Sequence, residues 1–194
     1  TGGATAPPPF RLCGGAAMRS FLDWLYRAGL ALAALAFAAI ALLVLVQVLG
    51  RLIDRAARLV GAPPPGITVP SLAEIGAFLF VGAVFLGLAG TLRAGGHVRV
   101  TLLTRVLPRA ANRVLGLAVT TAAAALAAFA TWSSAMQMLD SWAYDSVSYG
   151  MIPIPLWLPQ GVMTLGLALF FVALAEACWD FATGRTPAHV TAET

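Results

Sequence analysis

Few residues in this chain have the type and spacing that chemistry requires. The two histidines, His97 and His189, lie far apart in the sequence and form no paired spacing. The two cysteines, Cys13 and Cys178, lie near opposite ends and lack metal-ligand spacing. No HExxH, P-loop, GxSxG or CxxC motif is present. The sequence therefore predicts no catalytic residue, no metal or substrate site and no cofactor, and we expect the chain not to be an enzyme.

The remaining ionisable residues stand at the ends of apolar segments rather than inside them. A transporter that works alone usually has ionisable side chains or broken helices near the middle of the membrane. A haem-anchoring subunit needs axial ligands, and a second intramembrane histidine is missing here. The sequence thus lacks the features that are typical of both classes. An autonomous small transporter or channel and the membrane anchor of a redox enzyme are the alternatives to the main interpretation. The residues at segment ends are Glu74, Arg93, Arg113, Asp140, Glu176 and Asp180.

Composition indicates which elements surround these residues. Hydrophobic residues make up 60% of the chain and charged residues 10%, and the mean hydropathy is +0.87. Because the apolar residues occur in long uncharged blocks, the pattern is that of an integral membrane protein. All twelve basic residues are arginines and the net charge is +4. They cluster at block ends without interleaved aromatic residues, which favours contacts with phospholipid head groups and argues against nucleic-acid binding.

The predicted fold is an all-α integral membrane protein with four transmembrane helices. The predicted membrane domain is 18–184, between a disordered extension over 1–17 and a polar tail over 185–194. The expected spans are about 25–50, 71–93, 113–138 and 157–181.

Local patterns add expectations at the ends of these spans. Two amphipathic stretches, about 51–61 and 97–107, predict interfacial helices, although the first of them could instead extend the first span or be a solvated connector. Trp24 and Tyr26 are expected to be interfacial anchors. Ser71, followed by Glu74, has the spacing of a helix N-cap with a capping box.

The distribution of arginines predicts that both termini are cytoplasmic. With four spans, nine arginines fall on the side of the termini and three on the other side. Cytoplasmic segments of membrane proteins are enriched in arginine and lysine. The three on the opposite side lie together at Arg51, Arg55 and Arg58.

The second span has a face of small residues that predicts close helix packing. Small residues let helix backbones approach each other, which is how membrane helices associate without a hydrophobic driving force. The sequence leaves open whether the packed helix belongs to this chain or to another. The candidate partner-interface residues in and beside this span are Gly76, Ala83, Gly87, Gly90, Glu74, Arg93 and His97.

The region around 74–108 resembles the small membrane subunit of tripartite ATP-independent periplasmic (TRAP) transporters. The residues that carry this resemblance are Glu74, Phe85-Leu86-Gly87, Arg93, Gly96-His97-Val98, Val100, Leu102-Leu103 and Leu107-Pro108. The run IPIPLWLPQG, Ile152 to Gly161, is similar to that family's entry to the fourth span. The connector from Arg51 to Pro70 is longer and more basic than is usual in the family.

This resemblance implies a non-catalytic subunit in the bacterial inner membrane. The implied partners are a large TRAP permease subunit, which holds the sodium and solute sites, and a periplasmic solute-binding protein. The small subunit would be a scaffold for sodium-coupled uptake of an organic acid or a similar solute. Such a role agrees with a chain that has packing faces and no site of its own.

Overall fold

A computed structural model describes residues 13–94 and 109–183, and side chains from Ser20 onward within those ranges except at 109–110 and 112–113. Its four helices are α1 (Cys13–Leu59), α2 (Leu72–Arg93), α3 (Arg109–Ala143) and α4 (Trp157–Ala182). All four are long and apolar enough to cross a membrane, and no β-strand occurs in the described ranges. The prediction of an all-α chain with four helices long and apolar enough to span a membrane is therefore confirmed. His97 and the predicted interfacial helix 97–107 lie outside the described residues.

The helices pack as an open row in the order α1–α2–α4–α3. The extensive interfaces join α1 with α2, α2 with α4, and α4 with α3. Within the described ranges, no comparable interface closes α3 against α1. Since successive helices reverse direction, α2 and α4 run parallel to each other in the middle of the row.

Glycines on both neighbours bring their helices close to the centre of α2. A Cβ at Gly29 of α1 would lie 2.8 Å from the carbonyl oxygen of Leu86, and a Cβ at Gly166 of α4 would lie 2.5 Å from the carbonyl of Phe85. Two consecutive residues of α2 are thus contacted at the backbone from both sides. Small residues at helix crossings permit such an approach in membranes.

The first helix is continuous from the N-terminal region through the stretch expected to be interfacial. α1 ends in a Schellman motif, in which the Ala62 amide donates to the Ala57 carbonyl over 2.9 Å and Gly61 adopts φ 72°. The three prolines that follow cannot continue the helix. Residues 51–59 are therefore an extension of the first span, one of the alternatives that the sequence left open.

Three local expectations are corrected by the structure. Helix α1 begins at Cys13, inside the extension predicted to be disordered. Tyr26 is 3% exposed and belongs to the core, so it is not an interfacial anchor. Ser71 occupies the N-cap position of α2 but makes no capping hydrogen bond, since its left-handed backbone (φ 53°) directs the hydroxyl elsewhere.

Candidate functional site

Charged side chains from three helices meet at one end of the row. Arg93, in the last turn of α2, bonds through Nη2 to Oδ1 of Asp23 on α1 at 2.7 Å. Its Nη1 lies 3.2 Å from Oε2 of Glu176 on α4. The two nitrogens of one planar guanidinium thus connect both neighbours of α2. We call Asp23, Tyr26, Arg93 and Glu176 the lock, and this end of the row the lock end.

Tyr26 completes the lock from the apolar side. Its hydroxyl donates to Oε2 of Glu176 over 3.1 Å, and its ring lies under the Arg93 guanidinium, 5.1 Å from Cζ to the ring centroid. The ring is also part of the hydrophobic core, together with Ala89, Leu92 and Leu174. One side chain therefore joins the ion pairs to the packed interior.

The opposite end of the row is built around the loop between α3 and α4. Residues 144–156, which we call the hairpin, pair through Val147 and Pro155. The amide of Ser148 donates to the carbonyl of Ile154 over 2.9 Å, and the amide of Leu156 donates to the carbonyl of Ser146 over 3.0 Å. The hydroxyl of Ser148 accepts from the Ile154 amide and donates to the Ile152 carbonyl. The loop therefore supplies hydrogen-bond partners for several of its own backbone amides and carbonyls.

The hairpin also contacts the start of α2. The amide of Ile152 donates to the Ser71 hydroxyl over 3.1 Å. The Glu74 carboxylate lies directly against Gly150, in space that a Cβ there would fill. Its Oε2 is buried and has no hydrogen-bond partner. The predicted capping box is therefore wrong: Ser71 and Glu74 both turn toward the hairpin instead of toward the first turn of α2.

Two of the small residues predicted on α2, Gly87 and Gly90, contact helix α1 of the same chain. A Cβ at Gly90 would overlap the Leu30 side chain, and a Cβ at Gly87 would lie 3.7 Å from that of Ala33. Ala83 is buried at 1% exposure, whereas a Cβ at Gly76 would have no atom within 4 Å. The structure brings Arg93 into the lock and Glu74 against the hairpin, at opposite ends of α2. Contact of any of these residues with another subunit stays a prediction.

An apolar groove runs along the half of the row nearer the hairpin. Its volume is about 400 Å³, and its walls include Leu32 and Ala36 of α1, Leu79 and Gly82 of α2, and Leu158 and Val162 of α4. Among the described residues, its lining contains no charged side chain. No group of three or more metal-ligating side chains occurs in the described ranges. In the described part of the chain, the groove is therefore an apolar surface, and the charged side chains lie outside it.

The sequence pointed to Arg93 and Glu176 as segment-end charges but missed Asp23 and Tyr26 as their partners. The order of the helices could have predicted that these charged residues lie close together. With alternating helix directions, the start of α1 and the ends of α2 and α4 lie on one side, which places two carboxylates and an arginine at the same depth. Gly29 and Gly166 carried no comparable signal, because glycine and alanine are abundant throughout the chain.

Comparison with known proteins identifies a family over most of the chain. Residues 40–184 match the family of "Tripartite ATP-independent periplasmic transporters, DctQ component". No curated protein and no solved structure matches the chain significantly. The matched residues include α2, α3, α4 and the hairpin, together with the part of α1 from Ile40 to Leu59. The chain therefore belongs to the DctQ family, the small membrane component of tripartite ATP-independent periplasmic transporters.

Proposed function

We propose that this chain is a scaffold that holds the large permease subunit of its transporter in the bilayer. The large subunit would carry out sodium-coupled uptake of an organic acid or similar solute, delivered by a periplasmic binding protein. In this proposal the small subunit binds neither sodium nor solute. Its contribution is a fixed surface of apolar helices. The moving parts of the large subunit would change position relative to this surface.

The observation that carries this proposal is the open row of helices. Inside the chain, buried residues make up 11% of the most apolar window of α1, 33% of that of α2, 17% of that of α3 and 28% of that of α4. Most of each helix is therefore free to contact lipid or another membrane subunit. A row presents two broad faces, whereas a closed bundle would direct these surfaces inward.

Charge placement supports the same role. The lock and Glu74 lie near the two ends of the spans, and the groove between them is apolar. Moving an ion across a membrane requires polar or ionisable groups along its route. The described part of this chain offers no such route, so transport is assigned to the partner subunit.

We further propose that the lock end faces the cytoplasm and the hairpin faces the periplasm. With four spans, the order of the chain assigns nine arginines to the side of the lock and three to the side of the hairpin, and the positive-inside rule then favours a cytoplasmic lock end. In this arrangement Arg93 is close to the cytoplasmic surface and leads into the segment containing His97. We propose that this segment contacts the large subunit. Gly76, which has free space beside it, would accept one of its helices.

Native extraction in a mild detergent tests the scaffold. We expect the tagged chain to be recovered in a stable complex with a much larger membrane protein, identified by mass spectrometry. Recovery of the free chain alone would contradict the proposal. Liposomes containing the chain alone should show no solute flux, and the preparation should show no haem absorbance; either signal would favour one of the two alternatives.

A matched pair of variants tests how α2 supports the complex. Gly87→Leu inserts a large side chain where α1 packs and should lower recovery of the complex. Leu88→Ile, one position along, preserves volume on a half-buried position and should not. Equal recovery of the two variants would show that the small-residue face of α2 is not needed.

A further inference from the structure

The first helix carries arginines directly after its apolar part. The uncharged block of α1 covers residues 28–50, and Arg51 is the next residue of the same continuous helix. At 1.5 Å per residue this block is about 34 Å long, slightly longer than the hydrocarbon core of a bilayer, which is roughly 30 Å thick. Arg51 therefore lies where the hydrocarbon core ends and the phospholipid head groups begin.

The three arginines at this end of α1 lie at different depths. A head-group layer is roughly 5–8 Å deep. Along the helix axis, Arg55 lies about 6 Å beyond Arg51, and Arg58 lies about 10 Å beyond it. The first two arginines are therefore level with the phosphate groups, whereas Arg58 lies at the outer edge of the layer.

Arg51 and Arg55 share one face of α1 and are free to bind a ligand. They are one turn apart, and both are exposed. Among the side chains that the structure describes, none forms an ion pair with either of them. The carboxylate of the neighbouring Asp54 accepts a hydrogen bond from the Gly66 amide over 2.9 Å instead. The described part of the chain thus leaves the positive charge of both guanidinium groups unbalanced.

The chain that follows α1 returns beside this arginine pair. In residues 62–70, which we call the return segment, the Val69 amide donates to Gln47 Oε1 over 2.7 Å. The Ile67 carbonyl packs directly against Gly50. The return segment therefore covers an adjacent side of α1 at the level where the uncharged block ends, and the arginine pair lies on the uncovered surface next to it.

Apolar side chains continue the face of the arginine pair into the bilayer. Val44 and Val48 precede Arg51 by seven and by three residues, so they lie below it on the same face of α1. Their side chains are 45% and 54% exposed. This face therefore has cationic groups at the depth of the phosphates and an apolar surface at the depth of the acyl chains, which matches the two parts of a phospholipid.

We propose that Arg51 and Arg55 form a binding site for one anionic phospholipid, whose acyl chain lies along Val44 and Val48. Guanidinium groups bind phosphate through paired, charge-assisted hydrogen bonds. The depth of the pair identifies the occupant, because head groups surround a helix at this level. Two adjacent positive charges favour an anionic lipid over a zwitterionic one. Because α1 is at the edge of the row, the bound lipid holds an edge helix at a fixed depth.

Native mass spectrometry of the full chain tests this site. The chain is placed in micelles of a mild detergent that contain equal amounts of phosphatidylglycerol and phosphatidylcholine. We expect one phosphatidylglycerol to be retained in preference to phosphatidylcholine. Arg51→Gln and Arg55→Gln should each lower this retention by about fivefold. Replacing both arginines by Lys keeps the charge but loses the paired hydrogen bonds, so a smaller loss is expected than in the double Gln variant.

Arg58→Gln is the matched control, because Arg58 is an exposed arginine near the same face but farther from the bilayer. It should change retention by less than about twofold. Each variant should unfold at the wild-type temperature, since the replaced side chains are exposed. Equal losses in the three single Gln variants would indicate general attraction between charges and would overturn the site. Unchanged retention in the double Gln variant, or equal retention of the two lipids, would also overturn it.

Inorganic phosphate distinguishes a lipid site from a site for any phosphate. An excess of free phosphate should not displace phosphatidylglycerol, because free phosphate lacks the acyl chains that contact Val44 and Val48. Displacement would show that the arginine pair binds anions without regard to the membrane, and would contradict the proposal. This inference does not depend on the proposed function or orientation, since phospholipid head groups are present on both sides of the bilayer.

Discussion

At the lock end of the row, side chains from three helices meet, whereas at the hairpin end the backbone of one loop makes most of the hydrogen bonds. Arg93 connects α1, α2 and α4 through two carboxylates. The hairpin binds mainly to itself and reaches α2 through one amide and one close contact at Gly150. The first arrangement fixes helices relative to one another, while the second fixes the shape of a loop.

Because of this difference, single substitutions should affect stability differently at the two ends of the row. Removing Arg93 from the lock breaks both ion pairs that join α2 to α1 and α4, because both pass through its guanidinium. Removing one side chain from the hairpin leaves its backbone pairs in place. We therefore expect stability to be sensitive to single substitutions at the lock end and tolerant of them at the hairpin end.

The largest effect is expected for Arg93→Leu. This change leaves Asp23 and Glu176 without their cation, next to an apolar core. Breaking a fully buried pair costs roughly 3–5 kcal/mol, but these side chains are 27–44% exposed, so about 2 kcal/mol is expected after solvent screening. Thermal unfolding in detergent, followed by tryptophan fluorescence, measures the loss.

Arg93→Lys separates charge from geometry in the same assay. Lysine keeps the positive charge but has one nitrogen, which cannot bond both carboxylates in the way that a guanidinium does. An intermediate loss of stability is expected. If the Arg93→Lys variant were as stable as the wild type, bonding of both carboxylates by one guanidinium would be unimportant. If Arg93→Leu did not change stability, the lock would not hold the helices together.

Tyr26→Phe is expected to have the next largest effect. It removes the hydroxyl that donates to Glu176 and leaves the ring in the core and under Arg93. Hydrogen bonds to charged groups are worth about 1.5–3 kcal/mol, and the partial exposure of Glu176 lowers the expected loss to about 1 kcal/mol. Trp24→Phe, at an exposed position two residues away, is the control. Similar losses in both variants would mean that the hydroxyl contributes nothing specific.

The two ends also differ in how far the sequence predicts them. The helices and their membrane character follow from long uncharged blocks, and Arg93 and Glu176 stand out as segment-end charges. Tyr26 was misassigned because tyrosine near a span end commonly lies at the interface, and only the helix order shows that it faces the core. At the hairpin end, Ser71 and Glu74 matched a capping pattern, but a left-handed residue and a neighbouring loop redirected both side chains. Contacts between distant backbones leave no periodic signal.

At the hairpin end, Gly150→Ala is expected to cost about 1 kcal/mol, because the new methyl group displaces the Glu74 carboxylate. The carboxylate is the end of a flexible side chain and its buried oxygen has no partner, so a larger loss is not expected. Combining it with Glu74→Ala should remove the cost, and a double-mutant cycle measures this coupling. Additive effects would show that Glu74 does not lie against the hairpin.

The smallest effects are expected at Ser71, where two contributions oppose each other. Ser71→Ala removes the acceptor for the Ile152 amide, and because that bond is exposed, water replaces it at a cost of about 0.5 kcal/mol. Ser71→Gly loses the same bond but relieves the left-handed backbone at φ 53°, a conformation that disfavours residues with a Cβ by about 1 kcal/mol. The glycine variant should therefore unfold at a temperature equal to or above the wild type, and the alanine variant slightly below it. If both variants lost stability equally, the hydroxyl rather than the backbone would determine the start of α2, and the hairpin end would depend on side chains in the same way as the lock.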